Sequence, residues 1–224
     1  MAYNFDPKYW NGTIFRLDKD TGKMSGSWMD YRGQNLPIPA SCFPKSLIFD
    51  RATARLPDMF HTSRSLIVFS ERARVVMEEW APGQVEFIPV ACHAEPRIAA
   101  QLEFDSAYYF TNVLGRAQRL LWLEIPTQTL PPEEDGTATV MLLPGFHNWK
   151  LRERAAGEPV IWRDTPWVVD DKRYSGHARV FVEDVLWREL DANFPDQLNP
   201  QRIGADAGDF VPRPITRLSL QASK

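Results

Sequence analysis

Chemistry in a protein needs a nucleophile beside a base, facing carboxylates, or a cluster of metal-binding side chains, and this chain offers few candidates. His61, His93, His147 and His177 are scattered, with no second histidine or cysteine pair at ligand spacing on one element. Zinc takes tetrahedral ligand sets, so a site here would have to gather at least two ligands from distant parts of the chain. Cys92 and His93 are adjacent, and on a strand neighbours point to opposite faces. A Cys–His hydrolase would pair Cys42 or Cys92 with a distant histidine, but a lone cysteine more often behaves as a small buried hydrophobe. The acidic pairs Glu78/Glu79, Glu133/Glu134 and Asp170/Asp171 are sequence neighbours. Their expected role is solvation, because a glycosidase pair must face itself across a cleft.

Loop motifs are equally sparing. Counted from Asp18, Gly22 falls at the fifth position and Met29 at the twelfth, whereas an EF-hand loop needs glycine at its sixth and a carboxylate at its twelfth. Asp18, Asp20 and Gly22 therefore read as a turn. Ser25 lacks the glycine spacing of a nucleophile elbow, and no glycine-rich phosphate loop is present. The expectation is a protein without catalytic residues, metal or cofactor.

The segment from Phe146 to Tyr174 is different. Phe146, Trp149, Trp162, Trp167 and Tyr174 stand there among Lys150, Arg152, Arg154, Asp164, Asp170, Asp171, Lys172 and Arg173. Aromatic rings and arginine among charges are the composition of interface hot spots. The competing reading buries these rings in a core, as large aromatics usually are. As a partner-binding set, the sequence points to Trp162, Asp164, Trp167, Asp170 and Asp171.

The elements that must carry these residues are short. Residues 66–69 read as a strand, Ser70 as a helix N-cap, and Glu71 as a first-turn carboxylate favoured by the helix dipole. Ala73, Val76, Met77 and Trp80 then form one apolar stripe, and Pro82 and Gly83 end the helix. A second helix fits residues 183–193, with Val185, Leu186 and Leu190 inward and Pro195 beyond its end. Strands are expected at 13–17, 23–29, 85–90, 108–114, 120–124, 139–142, 150–154, 160–163 and 167–169. Both helices follow a β-like run, at 66–69 and 179–182. Pro37, Pro39 and Pro44 make residues 33–45 an extended wrapping segment that keeps Leu36, Ile38 and Phe43 for burial. A polar loop is expected at residues 131–136.

The fold class that follows is α+β, mostly antiparallel sheet with short strands and two principal helices, in a single domain. Residues 1–55 form an N-terminal hairpin and wrapping segment packed with a main unit at 56–212, and 213–224 form a tail. With 224 residues, the chain can bury roughly 70% of its unfolded surface. A formal net charge of −3 gives no footprint for direct nucleic-acid binding. No apolar run reaches membrane-spanning length and the start has no signal-peptide pattern, so a cytoplasmic protein with reduced thiols is expected.

Several stretches together resemble a bacterial immunity-protein family of the polymorphic-toxin systems, family eleven of the immunity proteins, formerly described as a domain of unknown function. They are residues 66–73 (Leu-Ile-Val-Phe-Ser-Glu-Arg-Ala), 85–90 (Val-Glu-Phe-Ile-Pro-Val) and 108–113 (Tyr-Tyr-Phe-Thr-Asn-Val), then 160–164 and 180–184. The match rests on their order and spacing and spans about residues 56–211. One departure is that residues 114–124 lack the acidic stretch the family carries after the asparagine, so no contact residues carry over there. The resemblance implies a protein that neutralises a cognate toxin, with a nuclease as the first expectation, by stoichiometric binding in interbacterial competition. Two other functions fit the same sequence: an adaptor or chaperone for a secreted effector, and a hydrolase without a recognisable motif.

Overall fold

The computed structural model describes residues 1–8, 16–17, 37–49, 56–62, 66–102, 104, 106–125, 127–132, 138–142, 145, 148–165, 167–169, 172–174 and 179–204. The turn at 18–22, the return strand at 23–29, residues 33–36, most of the 131–136 loop, His147, His177 and the 213–224 tail lie outside them.

The first helix is set by its cap. Strand β5 (Ile67–Ser70) runs directly into α1 (Glu71–Trp80), and Ser70 Oγ accepts the Ala73 N–H at 3.2 Å. The same hydroxyl donates to Asp58 Oδ1 at 2.7 Å, which fixes its rotamer. Past Ala81 the chain turns at Gly83, whose φ of +69° suits a residue without Cβ. The second helix repeats the plan: β14 (Phe181–Glu183) leads into α2 (Asp184–Asn193). No side chain caps α2; instead the Asp184 N–H bonds to the Met1 carbonyl.

Strands on both sides of these units complete one α+β fold that is mostly sheet. A six-stranded sheet runs β2 (Arg16–Leu17), β3 (Ser46–Phe49), β6 (Val85–Ala94), β7 (Tyr108–Val113), β5 and β4 (Met59–His61). A five-stranded sheet runs β15 (Gln201–Arg202), β1 (Ala2–Asn4), β14, β11 (Ile161–Asp164) and β8 (Arg116–Ala117). A four-stranded sheet joins β12 (Trp167–Val169), β13 (Lys172–Tyr174), β10 (Ala138–Leu142) and β9 (Thr127–Thr129). Pairing is antiparallel except for one parallel pair in each sheet: β3 with β6, β8 with β11, and β10 with β13.

Alternation along the central strands sends side chains into different cores. Phe69, Ile161 and Val182 meet Ala73, Met77, Leu186 and Leu190 beneath the helices, whereas Val68 packs with Leu47, Phe60 and Phe110 on the far side of the larger sheet. Trp162 and Phe181 join Trp122 and Trp149 in a third cluster. The N-terminal residues are built into the same sheets, β1 beside β14 and β3 beside β6. Of the proline-rich segment, residues 37–45 are described: Ile38 is buried, and the Asn112 amide donates to its carbonyl at 2.8 Å.

Three local expectations change. Residues 120–124 form no strand: Leu120 makes a lone bridge to Leu151, and a 3-10 turn follows at Trp122–Glu124. The expected strand at 150–154 reduces to that same bridge. In α2 the buried stripe is Leu186, Trp187 and Leu190, while Val185 faces solvent. Among the described residues, no helix is long and apolar enough to cross a membrane.

Candidate functional site

Strand β11 decides the fate of two of the sequence-selected residues. It lies between β14 and β8, and both of its faces are covered. Trp162 and Asp164 are each 0% exposed, so neither side chain can touch a partner. Trp162 stacks on Phe181 at 5.5 Å between ring centroids. The Arg119 guanidinium sits 4.2 Å from the Trp162 ring centroid, a cation–π contact inside the fold.

Three donors, among others, reach Asp164. The backbone N–H groups of Arg119 and Leu120 reach Oδ1 at 2.7 and 3.1 Å, and the Trp122 indole N–H reaches Oδ2 at 3.2 Å. Burial pushes its carboxyl above the ordinary aspartate value, and these hydrogen bonds offset only part of the shift. Arg119, itself buried, pairs with Glu183 and donates to the Arg152 carbonyl at 3.3 Å. Glu183 is the last residue before α2. The hub therefore ties the 116–124 segment to β11 and to the start of the second helix. Its chemistry is that of a brace.

Trp167 opens β12 opposite Tyr174, and Asp170, Asp171 and Phe146 lie outside the described residues. Trp149 is buried against Phe181. Arg152 is taken by Glu158, whose carboxyl is held down at about 2 by hydrogen bonds from that guanidinium and the Ala155 N–H.

The groups that suggested chemistry have local duties. Burial pushes the Cys92 thiol up to about 12, the reverse of what a nucleophilic cysteine needs. His61 Nε2 lies 3.2 Å from Asp6 Oδ1. Burial works against the charged form of Asp6, but hydrogen bonds from His61 and Asn199 outweigh it and hold the carboxyl below its usual value. Asn199 and Gln201 both donate to Asp6, so this cluster fastens the N-terminal residues to the 197–202 segment. Among the described residues no three histidine, cysteine or acidic side chains are grouped as a metal site.

What faces water is the helix pair. The Arg72 guanidinium donates to the Asn193 carbonyl and covers the Phe194 ring, placing the start of α1 at the end of α2. At the opposite end, Gln84 Oε1 accepts the Val160 N–H, and the Val160 carbonyl accepts the Glu183 N–H. The helices are thus antiparallel. Their inner sides meet the core, while Val75, Trp80 and Val185 stay 52%, 37% and 47% exposed. Arg74 is held between Glu71 and Glu78, and Arg188 by Asp184. Glu79 and Glu189 have no ion-pair partner among the described residues. Sequence periodicity assigned Trp80 and Val185 to the core. The helices' outer face was legible only once their packing partners were known.

No family model matches the chain, and no curated protein matches it.

Proposed function

We propose that this protein is an immunity protein that neutralises a cognate bacterial toxin by stoichiometric binding, blocking its active site or its activation. The observation that carries the reading is where the family-like stretches fall. Those at 66–73, 85–90 and 108–113 become β5 with the first turn of α1, then β6 and β7, three neighbouring strands of one sheet. Those at 160–164 and 180–184 become β11 and β14, paired with Ile161 opposite Val182. The resemblance thus follows a connected scaffold instead of scattered caps and turns.

Asn112 gives the scaffold a physical reason. Its amide donates to the Ile38 carbonyl and to Glu86 Oε2, both at 2.8 Å, so an asparagine in this strand clamps the wrapping segment to β6. The motif residues hold the fold. A binder needs only such a scaffold and a complementary surface. Cytoplasmic action suits a chain whose two cysteines, Cys42 and Cys92, are both thiols. A nuclease is the first choice of toxin.

Co-expression with the toxin encoded by the neighbouring gene tests the reading. Restored growth and a co-purifying complex are expected. A toxin that still kills and leaves no complex overturns the proposal. Deleting the gene provides a second arm: self-intoxication is expected, whereas lost effector secretion without self-intoxication would identify an adaptor.

A further inference from the structure

We infer that the partner docks on the outer face of the antiparallel α1–α2 pair, and that it presents a basic protein surface with an apolar centre. This rests on the binding role proposed above and names its surface and the chemistry of its partner. The first support is apolar. Val75 and Val185 stay exposed on the sides of the two helices turned away from buried Ala73, Met77, Leu186 and Leu190, and Trp80, at the end of α1, is 37% exposed. Valine is a poor helix former and neither side chain belongs to a core cluster, so helix propensity does not call for them. Tryptophan is one of the residues enriched among interface anchors.

The second support is charge. The two helices carry six acidic residues (Glu71, Glu78, Glu79, Asp184, Glu189 and Asp191) against Arg72, Arg74 and Arg188. Their net charge of −3 equals that of the whole chain, so the remainder is balanced. The three arginines are engaged within the pair: Arg72 on the end of α2, Arg74 between two glutamates, Arg188 on Asp184. Glu79, exposed, and Glu189, half-buried, have no ion-pair partner among the described residues. Exposed apolar side chains on helices whose carboxylates outnumber their arginines complement a basic surface, and such a face repels a second copy of itself.

The test titrates the purified full chain with the neighbouring-gene toxin and measures Kd by calorimetry. The variants are Val185→Asp, Glu79→Lys with Glu189→Lys, and a control, Leu123→Asp, at a residue 82% exposed outside the helix pair. Glu79, Val185 and Leu123 are exposed and Glu189 is half-buried, and thermal melts superimposable on the wild type establish that each variant folds. Both helix variants should weaken binding about tenfold or more, with the control unchanged. Wild-type affinity should fall as salt rises from about 0.1 to 0.5 M.

Binding by the wild type with helix variants of equal affinity overturns the surface and leaves the proposed function standing. No binding by the wild type overturns both. A wild-type dimer in sedimentation that Val185→Asp dissolves would make the occupant a second copy and overturn the basic partner.

Discussion

Around Asp164, a carboxylate, an arginine and two tryptophans are sealed from water and joined to one another and to the backbone, with Arg119 Nε and Trp162 Nε1 left without a hydrogen-bond partner among the described residues. On α1 and α2, carboxylates, arginines and a tryptophan are half-buried or exposed, and Glu79 and Glu189 have no ion-pair partner among the described residues. The residue types are the same, so composition cannot distinguish the two regions. Coverage does. Strand β11 has neighbours on both edges and cores on both faces, whereas each helix has only one side to bury. In the first region charge serves the fold; in the second it is available to a partner.

The comparison predicts a graded set of effects. The largest falls on Arg119→Met, which leaves Glu183 and the Arg152 carbonyl without their cation. Chemical denaturation should show a loss of about 3–5 kcal/mol, and wild-type stability would mean the hub is no brace. Gly115→Ala comes next. A Cβ there would sit 2.0 Å from the Ile161 carbonyl oxygen, where β7 passes to β8 beside β11. The backbone must shift, at a cost of roughly 1–3 kcal/mol, read as a lowered melting midpoint.

Acid titration separates the two kinds of carboxylate further. The Glu158 carboxyl is held at about 2 in the fold against 4.5 ordinarily. Its contribution is therefore complete above pH 4.5 and is lost as pH falls from there towards 2. Because the pair with Arg152 is near the surface, it is worth about 1 kcal/mol or less. Glu158→Gln should flatten that part of the acid limb. Asp164 acts in the opposite sense: its raised carboxyl favours folding most below the ordinary aspartate value, and that contribution fades as pH climbs through the raised one. The smallest expected effect is on the outer face, where Val185→Asp should change stability by no more than about 0.5 kcal/mol. A larger loss there would erase the distinction between the regions.

Local signals were legible where local physics decides. Ser70, Glu71 and the 73–77 stripe specify α1 through contacts within a few residues, and β6 and β7 follow their apolar runs. Distant partners decided the rest. The apolar run at 120–124 reads as a strand, but Asp164 draws in the Arg119 and Leu120 N–H groups and the Trp122 indole, so the chain turns there. Trp162 and Asp164 looked like interface residues because nothing in a single sequence reveals that β11 is covered on both faces. In α2 the phase slipped by one turn position: Trp187, stacked on Tyr3 at 4.4 Å, points inward where Val185 was expected. Arg119 escaped notice because an arginine before an apolar run carries no motif.

The central claim is inhibition by occupancy, and a titration of toxin activity tests it most directly. With toxin well above the dissociation constant, activity should fall linearly with added protein and vanish at one equivalent. Silencing of excess toxin by a small fraction of an equivalent would mean turnover and contradict the account, as would full activity at any ratio.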